Sequence, residues 1–102
     1  MIAASEASTP LVLFVTGDAP RSRRARDNLA RGLRAAGCRA DVVHEVDLIQ
    51  APSRAVQEGI FATPALLRRG DDGEPAVLYG DLSNDEQLRR FLADMASGDA
   101  PG

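Results

Sequence analysis

Four short stretches of the chain have the hydrophobic pattern of β-strands. Leu11–Val15 is a continuous apolar run, which is typical of a strand buried on both faces. Ala40–Leu48 alternates between apolar and polar residues, as a strand with one exposed face does. Ala65–Arg68 and Ala76–Tyr79 are two further apolar runs. Because Asp72–Gly73 between them is a typical turn sequence, these two runs are expected to form an antiparallel hairpin.

Three other segments have helical features. Arg21–Ala36 carries apolar residues at helical spacing, with arginines between them. Pro52–Glu58 predicts a short helix, since proline suits a first helical turn. A last helix is expected over Asn84–Ala96, where Ser83 and Glu86 have the spacing of a capping box. Four apolar residues would share one face of this helix: Leu88, Phe91, Leu92 and Met95.

The resulting order, βαβαββα, predicts an α/β fold. Two strands joined by a crossover helix lie parallel, and the closing hairpin adds an antiparallel pair. These rules give a thioredoxin-like, four-stranded mixed sheet with three helices. The 102 residues suffice for one domain, which we place at residues 11–96, between a disordered segment at 1–10 and a flexible tail at 97–102.

Composition and charge narrow the classes of partner. The formal net charge is −3 and all twelve basic residues are arginine, so neither nucleic acid nor a membrane is favoured as a partner. Seven of these arginines fall between Pro20 and Ala40, which predicts a solvated helix face or an acceptor surface for an acidic partner. We expect a cytoplasmic protein, because no signal peptide or membrane span is apparent and Cys38 is the single cysteine.

The candidate chemistry argues against an enzyme. A thioredoxin-like redox site would follow the first strand, but the segment 16–22 contains no sulfur, and Cys38 lies past the far end of the helix. His44, the single histidine, is placed in mid-strand with no evident partner, so neither a catalytic triad nor a metal site is predicted. Pro64 lies between a short helix and a strand, and we expect the Thr63–Pro64 bond to be cis. No cofactor is predicted.

Three motifs in order resemble the KaiB family of circadian-clock proteins. Residues 13–22 (LFVTGDAPRS) look like the opening of that family, residues 46–66 (VDLIQAPSRAVQEGIFATPAL) are similar to its centre, and residues 80–83 (GDLS) match its late motif. The resemblance spans about residues 11–92. The chain departs from the family in its 69–75 connector and in Arg54 and Val56 of the second helix.

This resemblance implies a non-catalytic adaptor that binds a KaiC-type ATPase, with a KaiA-like protein or a histidine kinase as further partners. The second helix and the neighbouring strand ends would form the binding surface. Five residues are the candidates: Arg54, Gln57, Glu58, Arg68 and Asp81. KaiB proteins also switch between a tetrameric resting form and a monomeric thioredoxin-like form. Since Phe91 and Ala93 favour helix, we expect this chain to rest in the thioredoxin-like form, as a monomer or dimer.

A different class of function is also open at this point. In a glutathione-recognising module, such as the first domain of glutathione transferases, a hairpin precedes a helix whose N-terminal serine and acid hold the ligand. Ser83 and Asp81 would take those roles here.

Overall fold

A computed structural model describes residues 10–69 and 75–99, with the backbone alone described at 40 and 94–99. The elements are β1 (Leu11–Val15), α1 (Pro20–Ala35), a 3-10 turn (Ala40–Val42), β2 (Val43–Asp47), α2 (Ser53–Glu58), β3 (Ala65–Arg68), β4 (Ala76–Tyr79) and α3 (Asp85–Asp99). The strand order is β2-β1-β3-β4, with β1 parallel to β2 and the other pairs antiparallel. The predicted order and the mixed four-stranded sheet are confirmed.

The central strand β1 organises the core, because all five of its residues are buried. Leu11, Leu13 and Val15 face the helices α1 and α3, with which they form one apolar cluster. Val12 and Phe14 face the opposite side, in a second cluster toward α2. A sheet covered on both faces explains why this run has no polar residue.

Helices α1 and α3 approach closely on the first face of the sheet. Gly32 makes this approach feasible, since a Cβ there would lie 2.7 Å from Cδ2 of Leu88 and 3.3 Å from Cδ1 of Leu92. Leu88 and Leu92 are both buried. Because Gly32 has no side chain, the apolar face of α3 can pack closely against α1 at this position.

The second strand is shorter than its pattern predicts. Residues 40–42 form a 3-10 turn in which Val42 donates its N–H to the carbonyl oxygen of Arg39 (3.3 Å), and β2 begins at Val43. Val42 nevertheless packs against the α1/α3 cluster. The apolar pattern therefore misled at Val42, because the turn directs this side chain to the face opposite to that of Val46 and Leu48.

The cap of α3 lies one residue later than predicted. Asn84, rather than Ser83, begins the helix: its Oδ1 accepts the N–H of Gln87 (3.0 Å), and its carbonyl oxygen accepts the N–H of Leu88 (3.0 Å). Glu86 does not reach back as a capping-box partner but forms ion pairs along the helix. The prediction of a Ser83–Glu86 capping box is thus wrong, although the predicted helix is present.

The two ends of the domain extend differently from the prediction. Helix α3 continues to Asp99, so residues 97–99 are helical where a tail was expected. At the other end, Pro10 precedes β1, and its carbonyl oxygen accepts the N–H of Arg69 (2.9 Å). Residues 1–9 and 100–102 and the Asp72–Gly73 turn lie outside the described residues, as does the side chain of Met95.

Candidate functional site

Two hydroxyl groups occupy the edge of the sheet where β1 ends and β3 begins. Oγ1 of Thr16 and Oγ1 of Thr63 are 2.5 Å apart, and the Thr63–Pro64 peptide bond is cis. The N–H of Thr16 also donates to Oγ of Ser22, a buried residue in the first turn of α1 (3.1 Å). This arrangement offers hydrogen bonds but no thiolate, so it cannot perform disulfide exchange.

The histidine of the described residues does not lie beside these hydroxyl groups. His44 pairs with Val12 in the parallel register of β1 and β2, near the start of both strands. Thr16 lies four residues further along, which places it about 13 Å away in the strand direction. A nucleophile and its base must be within hydrogen-bond reach, so His44 and Thr16 do not form a catalytic pair. In the same described ranges, no group of histidine, cysteine or acidic side chains could hold a metal ion.

The loop after β1 is held in a fixed, left-handed conformation. Gly17 has a φ of +50°, its N–H donates to Oδ1 of Asp47 (2.9 Å), and its carbonyl oxygen accepts from the Arg26 guanidinium (2.9 Å). Cδ1 of Ile49 lies 2.9 Å from the point where a Cβ of residue 17 would be. Glu45 holds the other side of the Arg26 guanidinium at 2.8 Å, and its hydrogen bond raises the pKa of Arg26.

Large hydrophobic side chains are exposed in one short segment, residues 49–61, which we call the α2 segment. Ile49 is 62% exposed, Val56 84% and Phe61 83%. They are the large hydrophobic residues that the described ranges leave in solvent. The ring of Phe61 also lies 4.6 Å from the ring of Tyr79 on β4, centroid to centroid. These three side chains fall within thirteen residues of the chain, and exposed apolar residues that form a patch mark interaction surfaces.

Three of the five predicted binding residues lie on α2. Glu58 connects two arginines: its carboxylate is 2.9 Å from the Arg69 guanidinium and 3.5 Å from that of Arg54. Gln57 is exposed. The short helix ends at Gly59, which has a φ of +72°. The α2 segment therefore presents exposed apolar groups beside half-buried, paired charges.

The other two predicted binding residues lie on the opposite face of the sheet. Arg68 stacks on Phe91 of α3, with its guanidinium carbon 4.7 Å from the ring centroid, and donates to the carbonyl oxygen of the same residue (3.0 Å). Asp81 forms an ion pair with Arg24 of α1 (3.1 Å). The structure does not bring all five candidates into one surface. Arg68 fastens α3 to the sheet, and Asp81 fastens the β4–α3 loop to α1.

Sequence reasoning missed the exposed apolar residues as a group. One signal for Phe61 is present in the sequence, because Ile60 and Phe61 are adjacent and apolar directly after the helix-ending Gly59. Two consecutive side chains in an extended segment point in opposite directions, so only one of them can enter the core. Ile60 is buried, and Phe61 is left in solvent.

The relatives of the chain identify its family. The chain matches no protein-family model. It is 31% identical over 83 residues to the circadian clock protein KaiB3 of Synechocystis sp., and the match covers 76% of each protein. The chain belongs to the KaiB family. The predicted resemblance is thereby confirmed at the level of the family.

Solved structures confirm the thioredoxin-like fold of this KaiB-family protein. The N-terminal domain of Synechococcus elongatus SasA superposes with a TM-score of 0.65 at 24% identity, covering 90% of this chain and 86% of that domain. Mitochondrial thioredoxin 3 from Saccharomyces cerevisiae superposes with a TM-score of 0.64 at 19% identity, covering 82% of this chain and 76% of that protein. At these identities the likeness concerns the fold alone.

Asp81 makes the KaiB-family protein sensitive to acid at the β4–α3 loop. The Ser83 hydroxyl, followed by the Arg24 guanidinium, lowers the pKa of the Asp81 carboxyl, and the N–H of Ser83 also donates to it (3.1 Å). Because the folded-state pKa is lowered, the stabilisation is fully present above the unfolded-state value, about 4, and is lost as the pH falls through the folded-state value. Ser83 thus fixes Asp81 and does not cap α3.

We predict that Asp81→Asn lowers the midpoint of thermal unfolding at pH 7 and makes it less dependent on pH between 4 and 2. The physical reason is that the substitution removes a group that takes up a proton on acid unfolding. Thermal unfolding followed by circular dichroism at pH 7, 4, 3 and 2 measures both effects. Asp27→Asn on the exposed surface of α1 is the control. Equal pH profiles for Asp81→Asn and the wild type would contradict the assignment.

Proposed function

We propose that this protein is a non-catalytic adaptor that binds a KaiC-type ATPase in the cytoplasm. The observation that carries the proposal is the exposure of Ile49, Val56 and Phe61 within the α2 segment. The KaiB family, to which the chain belongs, supplies the class of partner. No helix in the described ranges is long and apolar enough to cross a membrane.

The α2 segment has the composition of an interface centre. Aromatic residues are enriched at the cores of protein interfaces, and the transfer of a large apolar side chain from water contributes about 1.5–3 kcal/mol. Phe61 is already oriented by its contact with Tyr79, so binding would fix little additional side-chain freedom. The neighbouring ion pairs of Glu58 would form a polar margin.

The non-catalytic part of the proposal rests on the sheet edge at Thr16 and Thr63. These residues present two hydroxyl groups bonded to each other, and among the described residues neither Cys38 nor His44 lies beside them. The same position in a thiol oxidoreductase must present a thiolate. Binding is therefore the activity that this geometry supports.

The glutathione alternative receives no support from the geometry of its two residues. Asp81 accepts the N–H of Ser83 and forms an ion pair with Arg24, and Asn84 satisfies the start of α3. Neither side chain is therefore available to bind a ligand at the N-terminus of α3. The adaptor is accordingly the function we put forward.

A matched pair of charge insertions tests the adaptor proposal. Val56→Asp should weaken binding of a KaiC-type ATPase from the same genome by at least about tenfold, which corresponds to about 1.4 kcal/mol. Ala30→Asp introduces the same carboxylate at an exposed position of α1, on the other face of the sheet, and should change the affinity less than about twofold.

Isothermal titration calorimetry on the two variants and the wild type measures the difference. Equal losses from both substitutions would remove the α2 segment as the binding surface. Absence of ATPase binding by the wild type would overturn the proposal, and saturable micromolar binding of glutathione would favour the alternative in its place.

A further inference from the structure

The two edge strands of the sheet differ in how they are protected. Natural edge strands carry charges or prolines that hinder pairing with another chain. Strand β2 carries Glu45 and Asp47, so two copies paired along it would bring like charges together. Strand β4 is Ala-Val-Leu-Tyr, with neither a charge nor a proline within it. The β4 edge therefore lacks the usual protection.

The backbone register shows which groups of β4 are directed outward. The N–H of Gly80 donates to the carbonyl oxygen of Pro64 at 2.9 Å, in the same antiparallel register that pairs β4 with β3. Bonded positions alternate along an antiparallel pair, so Leu78 bonds to β3, while the N–H and C=O groups of Val77 and Tyr79 point away from it. Within the described chain, no strand pairs with β4 on that side, because β4 is the last strand of the sheet.

We propose that the β4 edge binds the β4 edge of a second copy of this chain, antiparallel, with the two-fold axis at Leu78. In this register Val77 of each copy lies opposite Tyr79 of the other. Each of these two pairs exchanges two N–H···O bonds, so four bonds form and use all the outward groups of both residues. The four-stranded sheets join into one of eight strands.

A second copy fits this edge because the strand is complementary to itself. The side chains of Val77 and Tyr79 belong to the α2 side of the sheet, where an aromatic residue opposite a β-branched one is a favourable cross-strand pair. Leu78 meets its own equivalent on the other side. No charged residue of β4 opposes a like charge across the axis. An isologous interface requires this kind of self-complementary surface.

Phe61 extends the apolar surface beside this edge. Its ring stacks on Tyr79 at 4.6 Å and is 83% exposed, so it adjoins the position that Val77 of the other copy would take. A pair of four-residue strands nevertheless buries less area than a standard interface. We therefore expect a weak, concentration-dependent dimer with a dissociation constant on the order of 0.1 mM.

Self-association and amide exchange of the isolated protein test the proposal. Sedimentation from 10 µM to 1 mM should show the mass rising from 10.8 kDa toward twice that value. At 1 mM the amides of Val77 and Tyr79 should exchange at least several-fold more slowly than at 10 µM. The amide of Leu78, which bonds to β3, should be protected at both concentrations.

Two sets of variants test the register. Val77→Pro removes one outward N–H and should remain monomeric at 1 mM, whereas Val77→Thr keeps that N–H and the branched side chain and should still dimerise. Leu78→Lys and Leu78→Glu place like charges opposite each other and should each be monomeric alone. An equimolar mixture of the Lys and Glu variants should restore a dimer, and this result does not depend on the folding of the proline variant.

Three results would overturn the proposal. The first is a wild-type monomer at 1 mM with rapid exchange at Val77 and Tyr79. The second is a dimer that persists in the charge variants at Leu78. The third is protection of these amides only when a KaiC-type ATPase is present, which would assign the edge to a strand of another protein. The first two results come from the protein without the ATPase, so they are separate from failure of the adaptor proposal.

Discussion

Replacing Phe14 with alanine is expected to lower the free energy of unfolding by about 3–5 kcal/mol. Phe14 is fully buried in the central strand, beside Val46 of β2 and Ala65 of β3, in the cluster that faces α2. Removal of the ring leaves a cavity between strands that are held by their hydrogen bonds. Because small domains are stable by only about 5–15 kcal/mol, a large part of the stability would be lost. Urea unfolding followed by circular dichroism measures it.

Phe61→Ala is the matched control, since the chemical change is identical and the position is 83% exposed. Its cost should be about 1 kcal/mol or less, mainly from the lost ring contact with Tyr79. The two phenylalanines should also differ in binding, because Phe61 lies in the α2 segment and Phe14 does not. Equal losses of stability at the two positions would contradict the core assigned to β1.

The second large effect is expected in α3. The double substitution Phe91→Gly and Ala93→Gly should lower the free energy of unfolding by about 3–4 kcal/mol. Glycine costs about 1 kcal/mol relative to alanine in a helix, and Phe91 also loses the burial of its ring and the stacking of the Arg68 guanidinium. Ala93→Gly alone, at an exposed position, should cost about 1 kcal/mol. Urea unfolding of both variants gives the difference.

This difference bears on the state of the free protein. A fold switch requires two packings of one sequence that differ by only a few kcal/mol, and residues 91 and 93 add stability of that size to the helical form. We predict that the free wild-type protein has helical NMR chemical shifts over Asn84–Ala96 and a single set of peaks. Strand shifts across Leu88–Met95, or a second set of comparable intensity in slow exchange, would show a retained switch.

The order of the elements could be predicted from the sequence because each strand and helix has a strong local pattern. The continuous apolar run of β1 is unambiguous, since five buried residues in succession fit only a strand covered on both sides. The boundary of β2 could not be predicted in the same way. A 3-10 turn partly buries Val42 on the α1/α3 side, whereas a continued strand would have placed it on the α2 side with Val46 and Leu48.

The cap of α3 shows where local rules become ambiguous. Ser83 with Glu86, and Asn84 with Gln87, both satisfy the spacing of a capping box in the sequence. The choice depends on Leu82, which is buried with a φ of +64°, and on Asp81, which accepts the N–H of Ser83. Both contacts arise from tertiary packing, which a sequence window does not contain.

The candidate site was only partly predictable for a related reason. The sequence indicates that Arg54, Glu58, Arg68 and Asp81 are polar and near the ends of elements, but their partners depend on the sheet register. Arg68 is placed on the α3 side by its pairing with Leu11 of β1, and this pairing brings it over Phe91. A residue that binds a partner at the surface and a residue that holds two elements of the fold together therefore look alike in the sequence.

The fixed loop at Gly17 has a consequence for the evolutionary history that is open to this chain. A cysteine at residue 17 would require a left-handed backbone that residues with a side chain rarely adopt, and its Cβ would lie 2.9 Å from Cδ1 of Ile49. The exposed Ile49 side chain can turn away from a new Cβ, so the left-handed φ of +50° is the main cost of a side chain at residue 17. A thiol at this residue is thus opposed by the backbone conformation itself, which any side chain introduced there would have to adopt.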